Sequence, residues 1–295
     1  MKILQPLLLI AIMVTATSSY SQKTDYKKEI DTWHKKREEK LKAENGWLNL
    51  AGLYWLKEGK NTFGSSDKNQ IQFPEGTIDD FAGYFERIGT TVKIVVNKEV
   101  LINLNGKPID EAIVFHPDSI KPLALSHKDL RWTIIKREDR IGIRLRNLKS
   151  PLLESFHGVE RFPVDANWKI EATLVKTDQP IEIPITNVLG QTTKEKSSGK
   201  LVFTVNNEKC SLDVLDEEDG FFILFGDETN GDQTYPAGRF LSASKPDKNG
   251  KVILDFNKAT NPPCAFTAYA TCPLPPIQNR LPVAIKAGEK VFGEH

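Results

Sequence analysis

The chain has 295 residues, of which 39% are hydrophobic, and its 40 basic residues against 39 acidic ones leave a net charge of +1. That balance excludes the basic footprint that a nucleic-acid backbone demands, so no nucleic-acid partner is expected. The length supports one large or two ordinary domains with real cores.

Residues 1–21 read MKILQPLLLIAIMVTATSSYS, with one basic residue at Lys2, an apolar core and small residues before a polar start. This is the pattern of a secretory signal peptide cleaved near Ser21. Its apolar core is too short to cross a bilayer, and no later run reaches the required ~20 residues. The expectation is a periplasmic or secreted protein without a membrane span.

Residues 22–45 form the next segment, with a helix over 25–44 that places Tyr26, Ile30, Trp33 and Leu41 along one face. Asn45-Gly46 is its stop signal. Its basic residues are matched by acidic ones, which marks a solvated face. His34 lies in this charged run with no partner expected, and no role is assigned to it.

Residues 46–150 read as short strands with turns, clearest at 91–96, 100–104, 130–137 and 140–146, with Asn105-Gly106 and Glu138-Asp139 as turns. The spacing predicts a β-sandwich. Its run FGSSDKNQIQFP and its Leu104-Asn105-Gly106 turn resemble a forkhead-associated domain. Where that fold reads phosphothreonine this chain has Asp79-Asp80, which would repel phosphate, so no phosphopeptide partner is expected.

Residues 151–295 are predicted to form a second antiparallel β-barrel or sandwich, entered through a Pro/Gly-interrupted boundary at 148–167. Strands are expected over 168–175, 181–185, 200–205 and 210–215, the last two joined at Asn206-Asn207. Residues 221–225 are apolar on both faces and read as a central strand. Residues 251–256 are the final one.

Residues 261–282 then carry prolines that bar regular structure, yet also Phe266, Tyr269, Leu274, Ile277 and Leu281. A disordered segment lacks such residues, so an ordered loop closing the domain is expected. The polar residues in or beside it are Tyr235, Arg239, Asp255, Asn257, Asn261, Asn279 and Arg280. They suit either a small polar ligand or the loop's own backbone groups. Asp227, Glu228 and Asp232 in the turn before it are weak candidates for holding calcium, without the spacing of an EF-hand. Cys264 and Cys272 are expected to pair as a disulfide in an oxidising compartment, with buried free thiols as the alternative. Cys210 reads as a small core residue.

The run LDFNKATNPPCAFTAYATCPLPPIQNRLPVAIKAGEK, with YPAGRFL upstream and WLNLAGLYWL near the start, resembles the uncharacterised bacterial family catalogued as domain of unknown function 1684. The resemblance spans residues 47–290, departs from the usual pattern at Thr260 and Ala268, and implies no reaction. Walker, GxGxxG, HExxH and GxSxG motifs are all missing, and no cofactor is expected. Three readings compete. The first is a binding or accessory module for a small polar molecule in the C-terminal β domain. The second is a sugar or ester hydrolase using Asp255 or Asp227 with Arg239. The third is a purely structural envelope protein.

Overall fold

A computed structural model of the chain describes residues 5–118 and 123–293, with side chains from residue 24 onward. Of the expected signal peptide, residues 1–4 lie outside the described residues, and residues 5–21 are described only as helical backbone. By internal contacts the chain divides into two units, one of residues 1–39, 158–266 and 271–295, the other of residues 40–157 and 267–270.

Helix α1 (Gln5–Lys42) stops where the sequence predicts. Asn49 Nδ2 donates to the carbonyls of Ala43 and Glu44 at 3.0 and 2.7 Å, satisfying acceptors that a helix end leaves open. A Cβ at Gly46 would collide with the Leu41 carbonyl, so the turn requires glycine there.

The smaller unit contains β1 (Leu50–Trp55), β2 (Gly59–Gly64), β3 (Ile71–Gln72), β4 (Gly83–Ile88), β5 (Thr91–Val96), β6 (Ile102–Leu104), β7 (Lys107–Ile109), β8 (Glu111–Phe115), β9 (Leu125–His127), β10 (Leu130–Arg137), β11 (Arg140–Asn147) and the short helix α2 (Pro151–Ser155). They form two sheets, ordered β1-β11-β10-β9-β6-β7 and β3-β2-β4-β5-β8. Alternation explains the layering. Trp132, Ile134, Ile143 and Leu145 of the first sheet bury against Phe63, Phe85 and Ile94 of the second in one core. Arg131, Thr133, Arg144 and Arg146 fall on the opposite parity and stay half-buried.

The larger unit contains β12 (Lys169–Thr186), β13 (Thr192–Val205), β14 (Glu208–Asp213), β15 (Leu215–Asp216), β16 (Gly220–Phe225), β17 (Arg239–Ser244) and β18 (Lys251–Asp255). The strands expected at 168–175 and 181–185 are one strand, β12. Its register against β13 shifts between Lys176 and Ile181, at the place where Pro180 removes a ladder donor. Asn206 and Asn207 take φ of 50° and 66°, the conformation a two-residue hairpin turn requires. The sheets are open, in the orders β14-β13-β12-β18 and β15-β16-β17, so of the expected barrel or sandwich the barrel does not form. β16 is central in its sheet, as its apolar faces require. The core joins Phe203, Phe225, Leu241, Leu254 and Phe256 with Leu281 and Ile285 from the C-terminal segment. Each such side chain contributes about 1.5–3 kcal/mol on burial.

Residues 261–282 are ordered by the same means. Phe266, Cys272 and Leu281 are buried, and short 3-10 turns occupy Pro263–Ala265 and Ile277–Asn279. No helix of the described residues is long and apolar enough to cross a membrane.

Candidate functional site

The polar residues singled out in the C-terminal half separate into three places in the larger unit. The first is the turn after β18. Asp255 Oδ1 accepts from the Tyr26 hydroxyl at 2.8 Å and from Asn257 Nδ2 at 3.2 Å. Asn257 Nδ2 also reaches the Tyr26 hydroxyl at 3.0 Å and the Asp165 carbonyl at 2.9 Å, while its Oδ1 accepts from the Asp165 amide at 3.1 Å. His34, given no partner from sequence, is buried and lies 2.8 Å from the Asn257 carbonyl. A carbonyl only accepts, so His34 Nε2 carries the proton. Burial pushes the His34 pKa down, and burial followed by Asp255 pushes the Tyr26 phenol up. Both are therefore neutral at pH 7. Asp255 Oδ2 has no hydrogen bond and sits 3.6 Å from Lys258 Nζ, which also pairs with Glu29 at 2.8 Å. This cluster ties the α1 segment to the turn.

The second place is deeper. Arg239 and Asp227 form an ion pair of 2.8 Å with both side chains fully buried. Arg239 donates to the carbonyls of Ala287, of Ile285 at 2.9 Å and of Glu289 at 3.3 Å, with the Phe225 ring beside it at 5.2 Å. Asp227 Oδ1 accepts from Thr229 N, Thr229 Oγ1 and Ile285 N at 2.9, 2.6 and 3.2 Å. Such a pair repays desolvation only when its remaining hydrogen-bonding capacity is used, and here much of it holds residues 285–289. Glu289, which the sequence did not single out, is buried and accepts from Arg37 Nε at 3.3 Å and the Asn261 amide at 2.6 Å. Burial nevertheless holds its pKa above the usual carboxylate range. Asn261 Nδ2 donates to the Lys290 carbonyl at 2.7 Å. Asn279 bridges two strands, accepting from Asp213 N at 2.7 Å and donating to the carbonyls of Asp213 and Leu224 at 2.9 and 2.8 Å. Asp227 is committed to Arg239, whereas Glu228 and Asp232 are exposed. No group of three metal-ligating side chains forms among the described residues.

The third place is an open cleft of about 570 Å3 walled by Pro184, Thr186, Leu274, Pro275, Gln278 and Arg280. The proline segment is pinned on both sides. Leu274 N donates to Thr186 O at 2.8 Å, Val188 N donates to Cys272 O at 2.9 Å, and Gly226 N donates to Asn279 O at 3.0 Å. A disulfide joins Cys264 and Cys272 across eight residues. Gly238 has φ +95°, and a Cβ there would meet the Phe225 carbonyl and Pro275 Cγ at 2.6 Å, so glycine permits the prolines to close on β16. Arg280 is exposed at the cleft, and its side chain makes no hydrogen bond or ion pair among the described residues. Tyr235 is half-buried nearby in sequence, and its carbonyl accepts from Asn230 Nδ2 at 3.0 Å. The cleft volume falls within the ~300–1,000 Å3 of ligand pockets.

Residues 154–290 match a family described as "Protein of unknown function (DUF1684)". The matched span contains both the cleft and the disulfide, and is shorter than the 47–290 over which the sequence resemblance was read. Among solved structures, the solution NMR structure of the uncharacterized protein from gene locus rrnAC0354 of Haloarcula marismortui is similar. It shares 30% identity, covering 48% of this chain and 80% of that one, with a TM-score of 0.41. No curated protein matches the chain.

Proposed function

We propose that this chain, whose residues 154–290 match the DUF1684 family of proteins of unknown function, is an exported protein whose larger unit binds a small acidic molecule at Arg280. One observation carries the reading. Of the charged residues singled out beside the proline loop, Arg280 alone lines a cleft with a side chain that has no partner among the described residues, whereas Arg239 and Asp255 are bound into the scaffold. A guanidinium in this setting recognises carboxylate or phosphate oxygens with its planar fork. Thr186 and Gln278 on the wall add polar edges, and the prolines add a rigid apolar floor that needs no ordering on binding. Export is supported by the apolar N-terminal run and by the Cys264–Cys272 disulfide, a bond that persists outside reducing compartments.

The hydrolase reading has no comparable support. Asp227 is held by Arg239, and Asp255 by Tyr26 and Asn257.

The test is a thermal-shift series of the chain from Gln22 against dicarboxylates, sugar acids and inorganic phosphate, on wild type and R280Q. A ligand at a hundred times its Kd contributes about 2.7 kcal/mol, which raises Tm by several degrees in a chain of this size. The expected result is a shift in wild type that is reduced in R280Q, whose own Tm without ligand is unchanged. Equal shifts in both proteins, or none in either, would overturn the proposal.

A further inference from the structure

The smaller unit carries its own cleft, of about 300 Å3, on the face of the β10–β11 ladder away from its core. Arg131, Thr133, Arg144 and Arg146 line it, together with Glu44 and Asn45 from the chain after α1. In the register Arg131 stands opposite Arg146, and Thr133 opposite Arg144. Like charges placed directly across two strands destabilise a sheet. A sheet face shaped for stability alone would not set such a pair beside a third arginine on one ladder.

The three arginines are answered unequally. Arg131 Nε pairs with Glu44 Oε1 at 3.0 Å and its Nη1 donates to the carbonyls of Lys128 and Leu130. Arg146 has no carboxylate among the described residues and donates to the Gly46 carbonyl and to Asn49 Oδ1. The Arg144 side chain has neither hydrogen bond nor ion pair among them. Its Nε is buried without a partner, and the Trp47 ring lies 5.8 Å from its guanidinium carbon. Burial first, then the charges of Arg137 and Arg146, push its pKa down to about 10. The guanidinium is still charged at pH 7, held in a site that disfavours the charge it carries.

A half-buried cation with an unused donor, a second arginine two residues along the same strand face, and a hydroxyl opposite it together form a cationic pocket whose one lining carboxylate, Glu44, is paired with Arg131. We infer that this cleft binds a small oxyanion, with Arg144 as its principal donor. The guanidinium fork takes two oxygens of a carboxylate, sulfate or phosphate. Thr133 donates its hydroxyl to the same group or a neighbouring oxygen. Arg146 adds charge from the side while its donors remain on Gly46 and Asn49. A bound anion offsets the repulsion along the ladder, so occupancy and stability rise together. The site lies outside residues 154–290, the span matched by the family, and is independent of the Arg280 cleft.

Isothermal titration of the full chain with sulfate, inorganic phosphate and succinate at constant ionic strength, with chloride as the balancing salt, tests this. Sulfate or phosphate binding identifies a tetrahedral oxyanion, and succinate binding a carboxylate. In an R280Q background, which removes the arginine of the other cleft, the expected outcome is saturable binding by at least one of these, weakened at least tenfold by R144Q. R144K keeps the charge without the fork and should fall between. R144Q by itself should melt at or above wild type, since it relieves repulsion. The inference is overturned if R144Q leaves binding unchanged in that background, if none of the anions saturates, or if R144Q melts early with anion affinity intact, which would make the guanidinium a packing group against Trp47.

Discussion

His34 shows how the environment of one residue decides its chemistry. The sequence sets it among lysines and glutamates, where a solvated imidazole would be expected, but it is buried with Nε2 on the Asn257 carbonyl. Burial lowers its pKa from the ordinary 6.5, so the folded state holds it neutral more strongly than the unfolded chain does. The sign follows from linkage: this contribution is present above about pH 6.5 and is lost as pH falls through that value, because the unfolded chain then binds the proton more readily. Comparing H34Q with wild type by thermal melts from pH 8 to pH 5, we expect wild type to lose more stability toward pH 5 and the glutamine variant to lack that component. Parallel curves would mean that the imidazole is open to solvent. Tyr26 belongs to the same cluster and was read from sequence only as a helix-face residue, because nothing in its spacing points to Asp255, 229 residues away.

At the scale of elements, period-two alternation identified the strands of both units where each has one wet and one dry face, as in β5, β10 and β11. It failed at β12, where Pro180 and the register shift beside it interrupt the pattern without ending the strand. Closure was equally beyond it, since alternation is the same in an open sheet and a barrel. The proline loop was legible as ordered from its aromatic and aliphatic content, and the disulfide across it has a measurable role. On the loop-entropy estimate a bridge over eight residues contributes roughly 2.5 kcal/mol. Protein recovered from the periplasm or medium should therefore begin near residue 22 by mass, contain no titratable thiol but Cys210, and melt several degrees above the C264S/C272S double variant. A full-length N-terminus, or no difference in Tm, would count against export or against a stabilising bridge respectively.

For the whole molecule, the division into units does not follow the span matched by the family. The larger unit takes in residues 1–39 as well as the C-terminal half, and that early segment supplies Tyr26 to Asp255, His34 to Asn257 and Arg37 to Glu289. A fragment beginning at residue 154 would leave the buried Glu289 carboxylate without its cation, a loss of about 3–5 kcal/mol when a buried pair is broken on one side. We expect that fragment to unfold at much lower urea than the chain from residue 22, with recovery on adding a peptide of residues 24–42; an unchanged midpoint would show the helix to be dispensable. What the sequence by itself determined is the part written in local pattern: an N-terminal helix, two β-rich halves and an ordered proline loop. Only the tertiary structure decided the roles of the polar residues. It placed Arg239, Asn261 and Asn279 on the backbone and Arg280 at a cleft, and it brought Arg131, Arg144 and Arg146 together on one ladder. The physical reason is that a hydrogen bond or a repulsion depends on what stands within a few ångströms, and for these residues the partners come from remote parts of the chain or from neighbouring strands whose register no single strand's pattern contains.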